Sequence, residues 1–190
     1  MIRMATPEDA DAIADLYAPY VRDSAISFEA VPPTAQDMRS RLTATLTNLP
    51  WLVITHGDAV RGYAYASSHR ARAAYRWSVD VSLYLDRSIH RQGNGRRIYT
   101  ALLNMLAAQG YINAYAAIAL PNPASVGLHE AMGFTRVGVF EGVGFKNGAW
   151  WDVGWWHRRL ADRPAQPSDP RAWSALPART LEPVLDRHTG

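Results

Sequence analysis

Two closely spaced glycines stand where a strand-like segment gives way to a helical one, and this part of the chain has the clearest chemistry. The loop His90-Arg91-Gln92-Gly93-Asn94-Gly95 follows the alternating apolar run 77–85 and precedes a helix from Arg96. A helix N-terminus presents unpaired backbone N–H groups, and glycine lets the backbone approach an anion closely. The segment therefore predicts a cradle for a phosphate or diphosphate group.

Two common phosphate-binding loops do not fit this segment. The chain has no G-x-x-x-x-G-K-[ST], which excludes a P-loop, and no G-x-G-x-x-G with an acid on a following strand, which argues against a Rossmann site. Arginine is abundant here, and its planar guanidinium suits phosphate and carboxylate, although a solvated basic face is the alternative. The arginines of this stretch are Arg70, Arg72, Arg76, Arg87, Arg91, Arg96 and Arg97.

Composition places the chain among ordinary globular proteins. Its 190 residues are 48% hydrophobic and 19% charged, which suits one domain with a proper core. The absence of Cys excludes disulfides, thiolate catalysis and Cys-ligated zinc, and we expect no metal. Neither the net charge of +3 nor any apolar run argues for nucleic-acid or membrane partners, and the first residues do not resemble a signal peptide. We expect a soluble, cytoplasmic protein.

The remaining patterns predict a mixed α/β (α+β) fold. Segments 51–54 and 60–67 flank a turn and predict an antiparallel hairpin, whereas 77–85, the following helix and 111–120 predict a β-α-β unit. Helices are expected to begin at Thr6 and Thr34, because a capping hydroxyl precedes each helical pattern. Two closing strands are expected at 134–140 and 150–156.

Proline punctuates the chain from residue 161 onwards, so we expect a domain of residues 1–160 and a C-terminal tail of residues 161–190. The composition of this tail leaves three alternatives open. In the first alternative the tail packs on the domain, in the second it reaches a partner subunit, and in the third it stays disordered.

Two motifs in order resemble the GNAT acyltransferases. The glycine loop is similar to the GNAT [Q/R]-x-x-G-x-[G/A] sequence, with His90 in the first position, and segment 122–134, from Asn122 to Met132-Gly133-Phe134, is similar to the later signature. Segments 50–53, 62–66, 71–80 and 144–148 are similar to phosphinothricin and methionine sulfoximine N-acetyltransferases. The resemblance covers residues 2–160. It implies a GNAT fold, with a mixed, twisted sheet of about seven strands and helices on both faces.

The resemblance implies that acetyl-CoA is the acetyl donor. Leu83, Tyr84 and Leu85 would pair through their backbone with the pantetheine arm, as an added strand does. Asn122 would contact a pantetheine amide. The diphosphate would bind backbone N–H groups of Arg91, Gln92, Gly93, Asn94, Gly95 and Arg96.

The resemblance also implies which residues carry acyl transfer. Asp80, where the subfamily has Glu, would take a proton from the acceptor ammonium, directly or through water, unless it is only an ion-pair partner of Arg72 or Arg76. His129 would accept or donate a proton, in the position of the group that protonates the leaving thiolate. Arg72 and Tyr75 would contact the acceptor, with Phe28, Ala119 and Val153 as weaker candidates for the pocket wall. His56, His69, His157 and His188 lack metal-site spacing and are interpreted as surface or structural.

The implied function is direct transfer of acetyl to the amine of phosphinothricin, methionine sulfoximine or methionine sulfone, a detoxification reaction. Acetylation of another amine, such as a peptide or protein N-terminus or a polyamine, is the alternative within the enzyme class. A non-catalytic acyl-CoA-binding module and an anion-binding module unrelated to coenzyme A are alternatives outside it. Since relatives in this group are often dimers, we expect a homodimer.

Overall fold

A seven-stranded mixed sheet organises the computed structural model, which describes residues 1–178 and residue 185. The strand order is β1-β2-β3-β4-β5-β7-β6, and within the described residues only β4 and β5 pair in parallel. This confirms the predicted mixed sheet. The strands are β1 (Ile2–Met4), β2 (Trp51–His56), β3 (Ala59–Ser68), β4 (Ser78–Leu85), β5 (Asn113–Leu120), β6 (Thr135–Lys146) and β7 (Ala149–Arg159).

Helices cover both faces of the sheet, as predicted. Successive strand residues point to opposite faces, so Leu52 packs in one hydrophobic cluster and its neighbour Val53 in the other. Helices α1 and α2 contribute to the cluster of Val53, and α3 and α4 to that of Leu52. The described helices are α1 (Ala10–Arg22), α2 (Ala35–Leu46), α3 (Asn94–Gln109) and α4 (Pro123–Ala131).

Short-range hydrogen bonds and one glycine set the helix ends. Thr34 Oγ1 accepts from Asp37 N, while the Asp37 carboxylate accepts from Thr34 N, so a capping box begins α2. Thr6 precedes a 3-10 turn (Pro7–Asp9) that leads into α1. Helix α3 ends at Gly110, whose φ of 100° suits glycine. The predicted helix starts at Thr6 and Thr34 are therefore confirmed, whereas α3 begins at Asn94, two residues before the predicted Arg96. No described helix has the length and apolarity needed to cross a membrane.

The closing strands are longer than the apolar segments predicted. Strands β6 and β7 form a hairpin that extends beyond 134–140 and 150–156 at the turn between them. Their pairing register shifts between Phe140 and Gly144. Strand β7 lies between β5 and β6, so β6 is an edge strand. Several large apolar side chains on this hairpin are exposed: Val137, Phe140, Val143, Phe145 and Trp150.

The first half of the C-terminal tail packs on the domain. Gln109 Nε2, at the end of α3, donates to Asn48 O at 2.8 Å and to Arg171 O at 2.7 Å. Arg171 N donates back to Gln109 O at 2.8 Å, and Trp173 Nε1 donates to Leu46 O at 2.7 Å. The first of the three alternatives therefore holds for residues 161–178.

Residues 179–184 and 186–190 of the tail lie outside the described residues. The domain boundary at residue 160 stays a prediction.

Replacing Gln109 with Ala tests how firmly the tail is held. The change removes the donor shared by Asn48 O and Arg171 O at a buried position, so we expect a loss of about 1–3 kcal/mol in unfolding free energy. Urea denaturation measures this loss, and limited proteolysis should show faster cleavage in the tail. Gln36→Ala, at an exposed position in α2, is the control. Equal stability of the two variants would contradict this role.

Candidate active site

A cleft opens in the middle of the sheet because β4 and β5 stop pairing. Their parallel register covers only Ser78–Asp80 against Asn113–Tyr115, although each strand has eight residues. Beyond Asp80 the strands separate around a cavity of about 60 Å³. The cavity is lined by residues 81–84 of β4, residues 116–119 of β5 and, at the α4 end, Asn122, Ser125 and His129.

The hydrogen bonds to β3 show which backbone groups of β4 face this cleft. Ser78 O accepts from His69 N, and Asp86 N donates to Arg61 O, so even-numbered residues of β4 direct their backbone towards β3. Odd-numbered residues, including Leu83 and Leu85, therefore direct theirs towards β5. Of the three residues predicted to pair with pantetheine, Tyr84 is the exception. Its backbone faces β3, and its ring packs against Tyr17, Tyr20 and Tyr63, although the residue also lines the cavity.

The glycine loop lies at the open end of the cleft, before helix α3. Gly93 is the N-cap of α3 with φ of 79°, and Arg91 has φ of 58°. Gly95 packs against the Leu83 and Leu85 side chains, because a Cβ there would lie 3.4 Å from each. The first turn of α3 therefore lies close to β4, and its N–H groups are where the predicted anion cradle would form.

Side chains within the loop hold its shape. Gln92 Nε2 donates to Ser88 O at 3.0 Å, and Asn94 Nδ2 donates to Ile89 O at 3.2 Å. His90 replaces the Gln or Arg of the GNAT pattern, and its Nε2 lies 3.1 Å from Leu85 O. A carbonyl only accepts, so Nε2 donates. His90 therefore ties the loop to the end of β4, while Gln92, Gly93 and Asn94 supply the turn. Arg91 and Arg96 point their exposed side chains to solvent.

Asp80 is the last residue of β4 that pairs with β5, and its side chain binds His69. The two are joined by a hydrogen bond of 2.6 Å from His69 Nδ1 to Asp80 Oδ1. Burial raises the pKa of Asp80, while the hydrogen bond from His69 acts in the opposite direction. The expected ion-pair alternative with Arg72 or Arg76 is wrong for Arg76, which binds Asp169 at 2.8 Å.

His69, which the sequence analysis interpreted as surface or structural, lies beside Asp80 at the candidate site. Three aromatic rings surround its imidazole: Tyr115 stacks on it at 4.4 Å, and Tyr75 and Trp155 contact it edge-on at 5.9 and 6.0 Å. Its side chain is only 13% exposed, so it is not a surface histidine. The register of β3 and β4 places it on the face of Asp80, because Ser67 lies opposite Asp80 and His69 is two residues further. The pairing register of β3 and β4 is the feature from which the position of His69 could have been predicted.

His129 lines the cleft from α4 and is buried. Its Nδ1 lies 2.8 Å from Ser125 O and its Nε2 lies 2.9 Å from Tyr99 Oη. Since a carbonyl oxygen only accepts, Nδ1 carries the proton and Nε2 accepts from the Tyr99 hydroxyl. Burial lowers the pKa of His129, so the neutral imidazole is favoured.

Comparison with known proteins agrees with this geometry. The profile of a family described as "Acetyltransferase (GNAT) domain" matches residues 2–155. The chain belongs to the GNAT acetyltransferase family. It is 40% identical to a phosphinothricin N-acetyltransferase of Streptomyces viridochromogenes over 166 residues, 87% of this chain and 90% of that protein. It is 28% identical to an L-methionine sulfoximine/L-methionine sulfone acetyltransferase of Salmonella typhimurium, over 86% and 96% of the two chains.

Solved structures show the same GNAT fold. A phosphinothricin acetyltransferase of Sinorhizobium meliloti, in complex with AcCoA, superposes with a TM-score of 0.86 and is 32% identical, covering 93% of this chain and 97% of that one. A putative acetyltransferase of Salmonella typhimurium, with its cofactor acetyl-CoA, has a TM-score of 0.84 at 27% identity, covering 88% and 98%. The predicted fold class and family are therefore confirmed.

The residues predicted to contact the acceptor fall into two groups in this GNAT domain. Arg72 and Tyr75 lie in the loop between β3 and β4 and line a larger cavity of about 580 Å³, together with Arg70. Tyr75 also touches the His69 ring, so this loop adjoins the Asp80 end of the cleft.

The second group lies on the β5–β7 side of the GNAT domain. Ala119 lines the cleft and is paired with Val153 of β7. Phe28 packs its ring against the backbone of Gly144 in β6, where no Cβ could fit. Within the described residues, no cluster of three or more His, Asp or Glu side chains could hold a metal ion.

Proposed function

We propose that this GNAT domain transfers acetyl from acetyl-CoA to the amine of a small amino-acid-like acceptor, such as phosphinothricin, methionine sulfoximine or methionine sulfone. The separation of β4 from β5 beside the N-terminus of α3 carries the proposal. It leaves β4 backbone groups unpaired by β5, next to the first turn of α3, where Gly95 packs against Leu83 and Leu85. Its relatives acetylate such acceptors, as their names state.

The proposed binding of acetyl-CoA uses backbone groups more than side chains. Leu83 and Leu85 would pair with the pantetheine arm in the ladder that β5 leaves open. Asn122 Oδ1 already accepts from Ser125 N at 3.1 Å, so its Nδ2 is the group left to donate to a pantetheine carbonyl. The diphosphate would bind backbone N–H groups of residues 91–96. These residues lie at the N-terminus of α3, where the positive end of the helix dipole favours an anion.

The proposed chemistry is direct transfer without an acyl-enzyme. The acceptor ammonium loses one proton towards Asp80, and the free amine attacks the thioester carbonyl, whose oxygen is polarised by backbone N–H groups of β4. When the C–S bond breaks, the nitrogen loses its second proton and the thiolate gains one. His129 is the proposed group beside the thiolate. Its neutral form holds its proton towards Ser125 O, so transfer requires that this bond break first.

The charge around the acceptor side favours anionic acceptors. Arg70 and Arg72 line the cavity beside Tyr75, and a guanidinium matches a carboxylate or phosphinate with two parallel hydrogen bonds. The same charges disfavour polyamines, which are cations. Phe28, Ala119 and Val153 would supply the apolar wall. The proposed physiological role is detoxification of such acceptors in the cytoplasm, a reducing compartment that agrees with a chain lacking Cys.

We also propose that the protein is a homodimer. The β6–β7 hairpin ends the sheet and exposes Phe145 and Trp150, whose rings contact each other at 5.3 Å between centroids. Contiguous exposed apolar groups of this kind mark interaction surfaces. A second copy of the chain is the proposed occupant, because β6 is an edge strand with unpaired backbone groups.

Gly93→Ala tests the diphosphate cradle. A Cβ at φ of 79° strains the loop, so we expect about 1–2 kcal/mol of lost stability and a roughly tenfold or larger rise in the Kd of acetyl-CoA by calorimetry, equivalent to one lost hydrogen bond to a charged group. Gly57→Ala is the matched control. Gly57 also has positive φ (56°) and an open surrounding, but lies in the β2–β3 turn. Equal Kd values in both variants would contradict the cradle.

Release of coenzyme A thiol across a panel of amines tests the acceptor. We expect turnover with phosphinothricin, methionine sulfoximine and methionine sulfone, and little with polyamines or peptides. Arg72→Gln should raise KM for the acceptor roughly tenfold while leaving KM for acetyl-CoA unchanged, whereas Arg22→Gln, at an exposed site on α1, should change neither. Turnover of peptides alone would overturn the acceptor class. No turnover, with acetyl-CoA still raising Tm, would favour the non-catalytic binding module.

Sedimentation velocity tests the homodimer. We expect a dimer for the unaltered chain and a monomer for Trp150→Glu, because a charge would be buried in the interface without a partner. Thr43→Glu, at an exposed position on α2, is the control and should stay dimeric. A monomer for the unaltered chain at micromolar concentration would remove this proposal.

A further inference from the structure

The imidazole of His69 has features that a purely structural histidine does not need. It is enclosed by aromatic rings, its Nδ1 is held by Asp80 at 2.6 Å, and its Nε2 makes no hydrogen bond within residues 1–178 and 185. The His69 side chain is only 13% exposed, and a ring nitrogen that no described residue engages is available as a proton acceptor. Asp80, which holds the ring, is the last residue of β4 that pairs with β5, so the pair stands where the cleft opens.

We propose that His69 and Asp80 form one proton-accepting unit for the acceptor ammonium, with Nε2 of His69 taking the proton and Asp80 holding Nδ1–H. The inference rests on the proposed acetyl transfer and refines it, because it moves the accepting atom from the carboxylate to the imidazole. Asp80 then orients the ring, selects the tautomer with the proton on Nδ1, and stabilises the imidazolium that forms.

The proton balance is complete without any further group. The ammonium gives one proton to Nε2, which leaves a neutral amine and an imidazolium beside the Asp80 carboxylate. The amine nitrogen forms its bond to the thioester carbon, the C–S bond breaks, and the nitrogen gives up its second proton as the thiolate becomes a thiol. His69 returns its proton to solvent before the next turnover. The products are the amide, coenzyme A and one proton.

The groups packed around His69 favour this arrangement. The rings of Tyr75, Tyr115 and Trp155 pack around the His69 imidazole and leave only 13% of its side chain exposed. His157 touches the far side of Tyr115, and burial together with Arg163 and Arg159 lowers its pKa, so it adds no charge.

The charged neighbour is Arg70, whose guanidinium lies over the Trp155 ring at 5.6 Å. It lowers the pKa of Asp80, whereas burial, the largest influence, raises it. The imidazolium therefore forms next to one carboxylate and one arginine, and the carboxylate is the group in direct contact.

The acidic side of the pH profile distinguishes a proton acceptor from a packing residue. Nε2 must be unprotonated to act, so kcat/KM should fall on the acidic side of its pH profile. In His69→Gln the amide can still donate to Asp80 but cannot take a proton. We expect kcat/KM to fall about a hundredfold or more, the acidic limb to move to lower pH, and the Kd of acetyl-CoA to stay unchanged.

Two further variants complete the experiment. Asp80→Asn should lower kcat/KM by a similar factor, and the double variant should be no slower than the slower single one, because the two act as a unit. His69→Ala should regain activity with added imidazole, which a purely structural loss would not allow. His56→Gln, an exposed histidine at the end of β2, is the matched control with an unchanged profile.

The outcomes separate this proposal from the proposed function. An active enzyme whose His69→Gln variant keeps its acidic limb and stays within threefold of the unaltered rate overturns the His69–Asp80 unit and leaves acetyl transfer standing. A single-variant loss without imidazole rescue and without a change in the profile assigns His69 to packing and also overturns the unit. An unaltered chain that binds acetyl-CoA but acetylates no amine overturns both.

Discussion

The structure depends on one interrupted ladder, the separation of β4 from β5 after Asp80. Backbone groups in the middle of a sheet are normally paired, since an unpaired buried N–H or C=O costs free energy. Here the C=O of Leu85 already accepts from His90 and Tyr20, whereas Leu83 directs its N–H and C=O into a cleft where β5 no longer reaches them. An extended, amide-bearing ligand satisfies them as a strand would. The elements around the gap between β4 and β5 keep the two strands apart.

Each border of the gap comes from a different element. On the loop side, Gly95 lets α3 approach the Leu83 and Leu85 side chains, and His90 donates to Leu85 O. That same carbonyl also accepts from Tyr20 Oη at 2.5 Å, so the last residue of β4 is held from both helical layers. Both hydrogen bonds oppose a shift of this strand end towards β5. The anion cradle and the strand-like slot are thereby kept in line.

Local patterns predicted the parts of this arrangement that are local. The glycine loop, the capped helices and the alternation along β4 each depend on residues within a few positions, so the fold class followed from the sequence and the family resemblance. The placement of β7 between β5 and β6 depends on pairing between distant segments. The part of the hairpin beyond Phe140 contains glycines and exposed apolar residues, so it lacks the alternation of buried apolar and exposed polar residues that predicts a strand. Neither could be derived from periodicity alone.

The partner of Asp80 was hidden for a similar reason. Eleven positions separate it from His69, and the intervening loop contains several arginines, which are the more obvious partners for a carboxylate. The pairing register of β3 and β4 instead makes His69 the partner of Asp80. Antiparallel pairing brings Ser67 opposite Asp80 and places His69 on the same face of the sheet. Arg76 instead forms a salt bridge with Asp169 of the tail. Because that tail is itself bound through Gln109, packing far from the cleft removes a competing arginine from the loop. The charge pattern at the cleft is thus a tertiary property.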